Sequence, residues 1–157
     1  MKQFVQNPTH FSVDCAQKNG QCSVVLKNII FLDDGKEPAA VDYLQGLGMG
    51  NIAAWEARLL EYATARLNRI EGFRMVGTAA NKAGVMSFVL GDIHANDVGT
   101  LVDLHGVAIR TGHHCAMPVV QFFGLPATAR ASLGVYNTFE EVDVLAEALQ
   151  KTALMFA

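Results

Sequence analysis

The sequence predicts an α+β (α/β) domain, a small antiparallel or mixed sheet with helices packed mainly on one face. Three observations carry this. Apolar residues recur at helical spacing over 52–70, short β-branched and apolar runs follow at 73–76 and 85–90, and helical and extended patterns then alternate toward the C-terminus.

Residues 1–38 stand apart from that pattern. They hold Cys15 and Cys22, two of the four prolines, and a polar tract over 33–37. Clustered β-branched and apolar residues at 21–26 and 29–32 suggest two short strands about Lys27 and Asn28. That turn lacks the glycine that marks a tight hairpin. A poorly ordered leader, or sequence foreign to the rest of the domain, fits these residues equally well.

From Ala39 the pattern is regular. Ile52, Trp55, Leu59, Ala63, Leu67 and Ile70 recur every three or four positions and form one apolar stripe on a long helix, with Gly72 placed to close it in a left-handed conformation. Strands are expected at 73–76 and 85–90, separated by a loop over 77–84. A helix is expected over 95–105 with Gly106 as its stop, and a short strand over 107–110. After the Cys115 loop, 128–135 reads as a strand. Thr138, with Glu141 three residues later, forms a capping box that opens the last helix. Val142, Leu145, Leu149 and Ala153 supply that helix with its apolar face.

A chain of 157 residues, 51% hydrophobic, is the size of one domain and can bury a substantial core. Its net charge of −3 and pI near 5.9 leave no electrostatic footprint for nucleic acid or an anionic membrane. No window has the apolar length to span a bilayer, and residues 1–8 lack a long apolar signal region, so a cytoplasmic protein is expected. The three cysteines, Cys15, Cys22 and Cys115, cannot all pair with one another and include no C-x-x-C spacing. Neither a disulfide framework nor a zinc ribbon is indicated, and free thiols are expected.

The chemistry concentrates in the run Arg110-Thr111-Gly112-His113-His114-Cys115-Ala116-Met117-Pro118, followed by Arg130-Ala131-Ser132. One thiol stands between two arginines on an otherwise mildly acidic chain, which suits anion binding and thiol chemistry. A free cysteine has a pKa near 8.5, so only a few per cent is thiolate at neutral pH. Arg110, His113 and His114 can raise that fraction if the loop curls back on itself. Two other readings compete. Cys115 can be a small buried hydrophobe, and either arginine can belong to a surface salt bridge. His113, His114 and Cys115 are also metal-ligand types, but adjacent residues on an extended chain point to opposite sides and no spaced second cluster completes a set, so no metal is expected.

This run resembles the active-site loop of the SUF-type (group II) cysteine desulfurases, pyridoxal-phosphate enzymes of the class V aminotransferase family. The likeness extends over about 40–156. It takes in Val41-Asp42-Tyr43-Leu44, Gly48-Met49, Asn51-Ile52-Ala53, Gly91 with His94 and Asp97-Val98-Gly99, Tyr136-Asn137-Thr138, and Glu140-Glu141-Val142-Asp143. Residues 39–157 thus resemble the C-terminal small domain of these fold-type I enzymes, and residues 1–38 carry nothing of the pattern. The resemblance implies sulfur transfer from L-cysteine to the enzyme thiol as a persulfide, with release of L-alanine, for iron-sulfur cluster assembly. Cys115 matches the nucleophile. Arg130 matches the arginine that holds the substrate carboxylate, a task suited to its planar fork, and Arg110 matches a second active-site arginine. His113, His114 and Thr111 are candidates for supporting the loop. The resemblance further implies a sulfur-acceptor protein as partner and a homodimer for full-length members.

In that family a Schiff-base lysine, an aspartate and a stacking histidine of the large domain hold pyridoxal phosphate. None of Lys2, Lys18, Lys27, Lys36, Lys82 and Lys151 stands in such a motif. No cofactor-binding residue is therefore expected in this chain, which by itself is expected to be catalytically incomplete. A second reading makes the chain a non-enzymatic persulfide carrier, or an interaction module that docks on a complete desulfurase. A small domain without its large partner leaves apolar surface uncovered, and the mean hydropathy of +0.23 agrees with that expectation. Val24, Val25, Leu26, Ile29, Ile30 and Phe31 are the residues available to fold back over it.

Overall fold

The computed structural model describes residues 38–77, 79 and 82–156 together with the backbone of Gln17–Lys18, Gln21–Cys22 and Val24–Val25; side chains are described from residue 41 onward. In chain order the elements are β1 (Gln17–Lys18), β2 (Gln21–Cys22), β3 (Val24–Val25), α1 (Pro38–Leu47) and α2 (Met49–Leu67), then β4 (Phe73–Val76), β5 (Val85–Leu90) and α3 (Ala95–Leu104). They continue with β6 (Val107–Ala108), β7 (Arg110–Gly112), α4 (Met117–Phe122), β8 (Thr128–Ser132) and α5 (Phe139–Met155). Among the described residues no helix is long and apolar enough to cross a membrane.

The main sheet is antiparallel, in the order β4-β5-β8-β7. Side chains alternate across a strand, so register decides which residues share a face. Met86 lies opposite Ala131, and Phe88 lies opposite both Ala129 and Met75. These five point to the helices, and with Leu59 and Leu67 of α2, Val98 and Val102 of α3 and Leu145 and Leu149 of α5 they make one core. The small Ala129 and Ala131, both fully buried, let the helix layer approach the centre of the sheet. Full burial of each large side chain in this core is worth about 1.5–3 kcal/mol. The other face of the sheet, bearing Arg74, Val89, Ser87, Arg130 and Arg110, carries none of the three long core helices. The expected α+β architecture with helices mainly on one face is the one observed.

Several boundaries differ from expectation for local physical reasons. The long helix ends at Leu67, and Ile70, though still buried, lies in the turn that follows. Gly72, at φ 77°, brings that turn to β4 rather than capping the helix, and a Cβ there would stand 3.1 Å from the Gly91 nitrogen. The strand expected at 107–110 breaks at Ile109 into β6 and β7 and runs on to Gly112. The strand expected at 128–135 stops at Ser132; the Leu133 amide still donates to the Gly84 carbonyl at 2.6 Å, and the chain then turns away over 134–137, where the Asn137 amide donates to the Gly134 carbonyl at 3.0 Å. Helices α1 and α4 were not expected. Of the two strands expected near the N-terminus, Gln21–Cys22 and Val24–Val25 are extended; the Lys27 and Asn28 turn and the 29–32 stretch lie outside the described residues. Val24 and Val25 pair in parallel with Val107 and Ala108, which brings this part of the N-terminal segment against the domain.

Two junctions hold the helices to one another. Buried Asn137 accepts from the Gly134 amide at 2.7 Å through Oδ1 and from Trp55 Nε1 at 3.2 Å through its carbonyl, and its amide donates to Glu141 Oε2 at 2.9 Å. The same glutamate closes the expected capping box: Thr138 Oγ1 accepts from the Glu141 amide, and Glu141 Oε2 accepts from the Thr138 amide. Asp143 takes the Tyr62 hydroxyl and, at 2.9 Å, Arg66 Nε, linking α5 to α2. At the edge of the sheet, on its helix face, β7 is seated on α3. A Cβ at Gly99 would lie 2.7 Å from Thr111 Cγ2, and Thr111 Oγ1 donates to Asn96 Oδ1 at 2.8 Å.

Thr138→Ala is expected to lower unfolding stability in urea by about 1 kcal/mol through loss of the cap; Thr138→Ser, which keeps the hydroxyl, should recover most of it. Gly99→Ala gains helix propensity but overpacks Thr111, and the overpacking is the larger effect, so the net expectation is a loss of about 1–2 kcal/mol. The double variant Gly99→Ala/Thr111→Ser, measured in the same titration, should restore stability.

Candidate functional site

Arg110 and Arg130 are direct cross-strand partners on β7 and β8. Such partners project from the same face with Cβ atoms about 4.5–5.5 Å apart, and like charges placed so repel unless an anion lies between them. Among the described residues the salt bridge is Arg66 with Asp143, so neither Arg110 nor Arg130 has a carboxylate partner there. Arg110 is exposed, whereas Arg130 is half-buried and its Nε is sealed from solvent without a hydrogen-bond acceptor. A planar guanidinium fork matches the geometry of a carboxylate.

The thiol is presented by the turn that leaves β7. Gly112 has φ 112°, and then His114 and Cys115 follow at φ 54° and 59°. Two successive residues with side chains in the left-handed region cost about 1–2 kcal/mol each, and such conformations persist only where the surroundings impose them. Here the Ala116 amide donates to the His113 carbonyl at 2.8 Å, closing the turn, and α4 begins immediately with Pro118 in its first turn. Cys115 is exposed and unpaired as a thiol, and His113 is exposed beside it. The reading of Cys115 as a buried hydrophobe does not hold. Cys15 and the Cys22 side chain lie outside the described residues.

His114 turns the other way. Its Nε2 lies 3.1 Å from the Thr128 carbonyl oxygen and 3.0 Å from Thr128 Oγ1. Thr128 belongs to the helix-free face, being two residues from Arg130, yet it is only 2% exposed, with the His114 ring bonded to it. A carbonyl only accepts, so Nε2 carries the hydrogen and Nδ1 the lone pair. Burial holds the ring below its ordinary value of 6.5; the Thr128 bond opposes that shift, and the charges of Arg130, Arg110 and His113 reinforce it. His114 is therefore neutral at neutral pH.

The sequence-predicted residues thus divide by position. Arg110 and Arg130 share one face, Cys115 and His113 lie in the exposed turn, His114 anchors that turn to β8, and Thr111 faces the opposite way and seats β7 on α3. Sequence reasoning did not single out Thr128 as the anchor of His114 or Gly99 as the seat of Thr111. The alternation of Thr128 with Arg130 was the available clue to the first. Two clefts, of about 280 Å³ beside Trp55 and Val135 and about 430 Å³ between α3 and Thr111, border neither Cys115, Arg110 nor Arg130. Cys115 and Arg110 are exposed outside these clefts, and Arg130 is half-buried opposite Arg110. Among the described residues no group of three histidine, cysteine or carboxylate side chains is placed to hold a metal ion.

Known proteins resemble this chain in sequence and in fold. A Xylella fastidiosa protein named "Probable cysteine desulfurase" is 50% identical over 113 residues, covering 72% of this chain and 27% of that protein. An Escherichia coli cysteine desulfurase is 47% identical over 113 residues, with 72% and 28% covered. The apo structure of a Thermococcus onnurineus cysteine desulfurase superposes with a TM-score of 0.71 at 33% identity, over 74% of this chain and 30% of that one. The chain thus spans less than a third of the length of these relatives. The pattern of the Aminotransferase class-V family matches residues 37–145, and the chain belongs to that family.

Proposed function

We propose that this chain is the C-terminal small-domain part of a SUF-type (group II) cysteine desulfurase, in which Cys115 takes sulfur from L-cysteine. The observation that carries the reading is the Arg110 and Arg130 pair. These two cations lie in direct register without a described acidic partner, on the strands that lead into and brace the turn bearing an exposed thiol. Arg130 holds the substrate carboxylate, with Arg110 as the second cation beside it. Thr111, His113 and His114 support the loop. The thiolate of Cys115 attacks the substrate sulfur; an S–S bond forms, the C–S bond breaks, and its electron pair leaves with the carbon skeleton, which is released as L-alanine after protonation. The persulfide then passes to a sulfur-acceptor protein for iron-sulfur cluster assembly, and the complete enzyme is a homodimer.

Enzymes of this family use pyridoxal phosphate, but the described side chains do not fit it. Lys82 donates to Met75 Sδ at 3.1 Å beside β4, and Lys151 lies on the exposed side of α5. Neither adjoins Arg130 or Cys115. In this reading the cofactor is held by residues outside those described, and the chain contributes the sulfur-accepting thiol and the carboxylate clamp. The exposure of Cys115 favours a second reading, a persulfide carrier whose thiolate takes the outer sulfur of a donor persulfide as the donor thiolate leaves, or a module that docks on a complete desulfurase.

L-Alanine, the product of the proposed reaction, tests the clamp in the chain as it stands. Amide resonances of Arg110 and Thr128 to Arg130 should shift on titration with L-alanine and not with L-alaninamide, which lacks the carboxylate. Arg130→Ala should weaken the interaction about tenfold or more. Equal shifts with both ligands, or an unchanged affinity in the variant, would remove the desulfurase clamp and leave the carrier reading. Cys115 is also expected to alkylate ahead of Cys15 and Cys22 at neutral pH, since its thiol is free and exposed on the turn. Peptide mapping after limited iodoacetamide treatment decides this.

A further inference from the structure

The turn that presents Cys115 contains no glycine at its two left-handed positions, so something outside the turn must impose them. The bond from His114 to Thr128 is the side-chain tie that joins this turn to the sheet. On its other side the ring is unsatisfied: Nδ1 is sealed from solvent and has no hydrogen-bond partner. As an unprotonated lone pair it loses only the hydrogen bond it would make to water. As an N–H it becomes a buried donor on a cation, with no acceptor in reach.

The groups facing the ring sharpen this asymmetry. β8 contributes Arg130, β7 contributes Arg110, and the turn contributes His113, all of which oppose a positive charge on His114. The neighbouring Cys115 thiol is exposed, and α4 carries no titratable side chain. Among the described residues no carboxylate acts on the ring.

We propose that His114 is a positioning residue for Cys115: its ring, bonded through Nε2–H to the Thr128 carbonyl, holds the left-handed turn against β8 and does so only while Nδ1 is unprotonated. Protonation expels the ring, and without that tie the turn relaxes from its strained conformation. The direction of the pH effect follows from linkage. A ring freed from the sheet takes up a proton near its ordinary 6.5, whereas the docked ring resists. The docked turn is therefore at full strength above that pH and weakens progressively as the pH falls below it. The inference rests on the reading of Cys115 as the sulfur-accepting thiol for its functional meaning, though not for its physical content.

Amide hydrogen exchange over 112–117, corrected for the intrinsic pH dependence of exchange and referenced to α5, tests it in the intact chain. Protection of the turn should fall about fivefold between about pH 7.5 and about pH 5. His114→Gln places an amide N–H where Nε2–H stands and has no titrating group, so it should stay protected at both pH values. His114→Ala should be unprotected at both. Should the alanine variant fail to fold, the wild-type and glutamine profiles still decide. Wild-type protection that does not change with pH, or a glutamine variant whose turn is unprotected, overturns the proposal. Cys115→Ser separates the two layers of argument: it removes any sulfur chemistry and should leave the exchange pattern in place, so the latch and the desulfurase reading fail on different measurements.

Discussion

The antiparallel pairing of β8 with its neighbours is the constraint on which the rest of the structure depends. Ala129 and Ala131 face the helices and Thr128 and Arg130 face the other way, an arrangement that a one-residue slip would invert. Such a slip would drive a guanidinium into a layer packed with Leu59, Val98 and Leu145. The hydrophobic requirement on one side of the strand therefore fixes the position of the charge on the other. Pairing with β7 then carries this order outward, setting Arg110 opposite Arg130 and leading the chain into the turn that ends at Cys115.

The edge strand β7 has little packing of its own, and it is held by two unlike devices. On the helix side Thr111 fits against the missing side chain of Gly99 and donates to Asn96. On the other side the turn after Gly112 is tied down by the His114 ring on Thr128. One device is steric and insensitive to pH; the other is polar and depends on where a proton sits. Position of the edge strand and conformation of the thiol turn are thus governed separately, although only four residues lie between Arg110 and Cys115.

Much of this fold could be read in the amino-acid order because periodic burial leaves a periodic record. Leu59, Ala63 and Leu67 mark α2, the bounds of β4 and β5 are those of their apolar runs, and Thr138 with Glu141 marks the start of α5. The failures occur where no such period operates. β8 ends at Ser132 because the chain turns at Gly134, whose amide and carbonyl are both taken by Asn137, while the apolar residues between still look extended. Helix α4 is six residues long, too short for a period to show. In the site, residue types pointed to Cys115, Arg110 and Arg130, but nothing local marks His114 and Cys115 as left-handed, since such positions usually carry glycine or asparagine. Their conformation is imposed by Thr128, a residue that sequence pattern alone reads as one more β-branched strand position.

The two-sidedness of the sheet also bears on how this domain can change over time. Within Thr128–Ser132, successive positions answer to different demands: one set to the volume left between three helices, the other to the charge and hydrogen bonding of an open surface. A substitution at Ala129 or Ala131 registers as lost cohesion with the chemistry untouched, while one at Arg130 leaves cohesion nearly intact and alters what the surface recognises. Five consecutive residues thereby hold two independent records, one of folding and one of recognition, interleaved at a spacing of two.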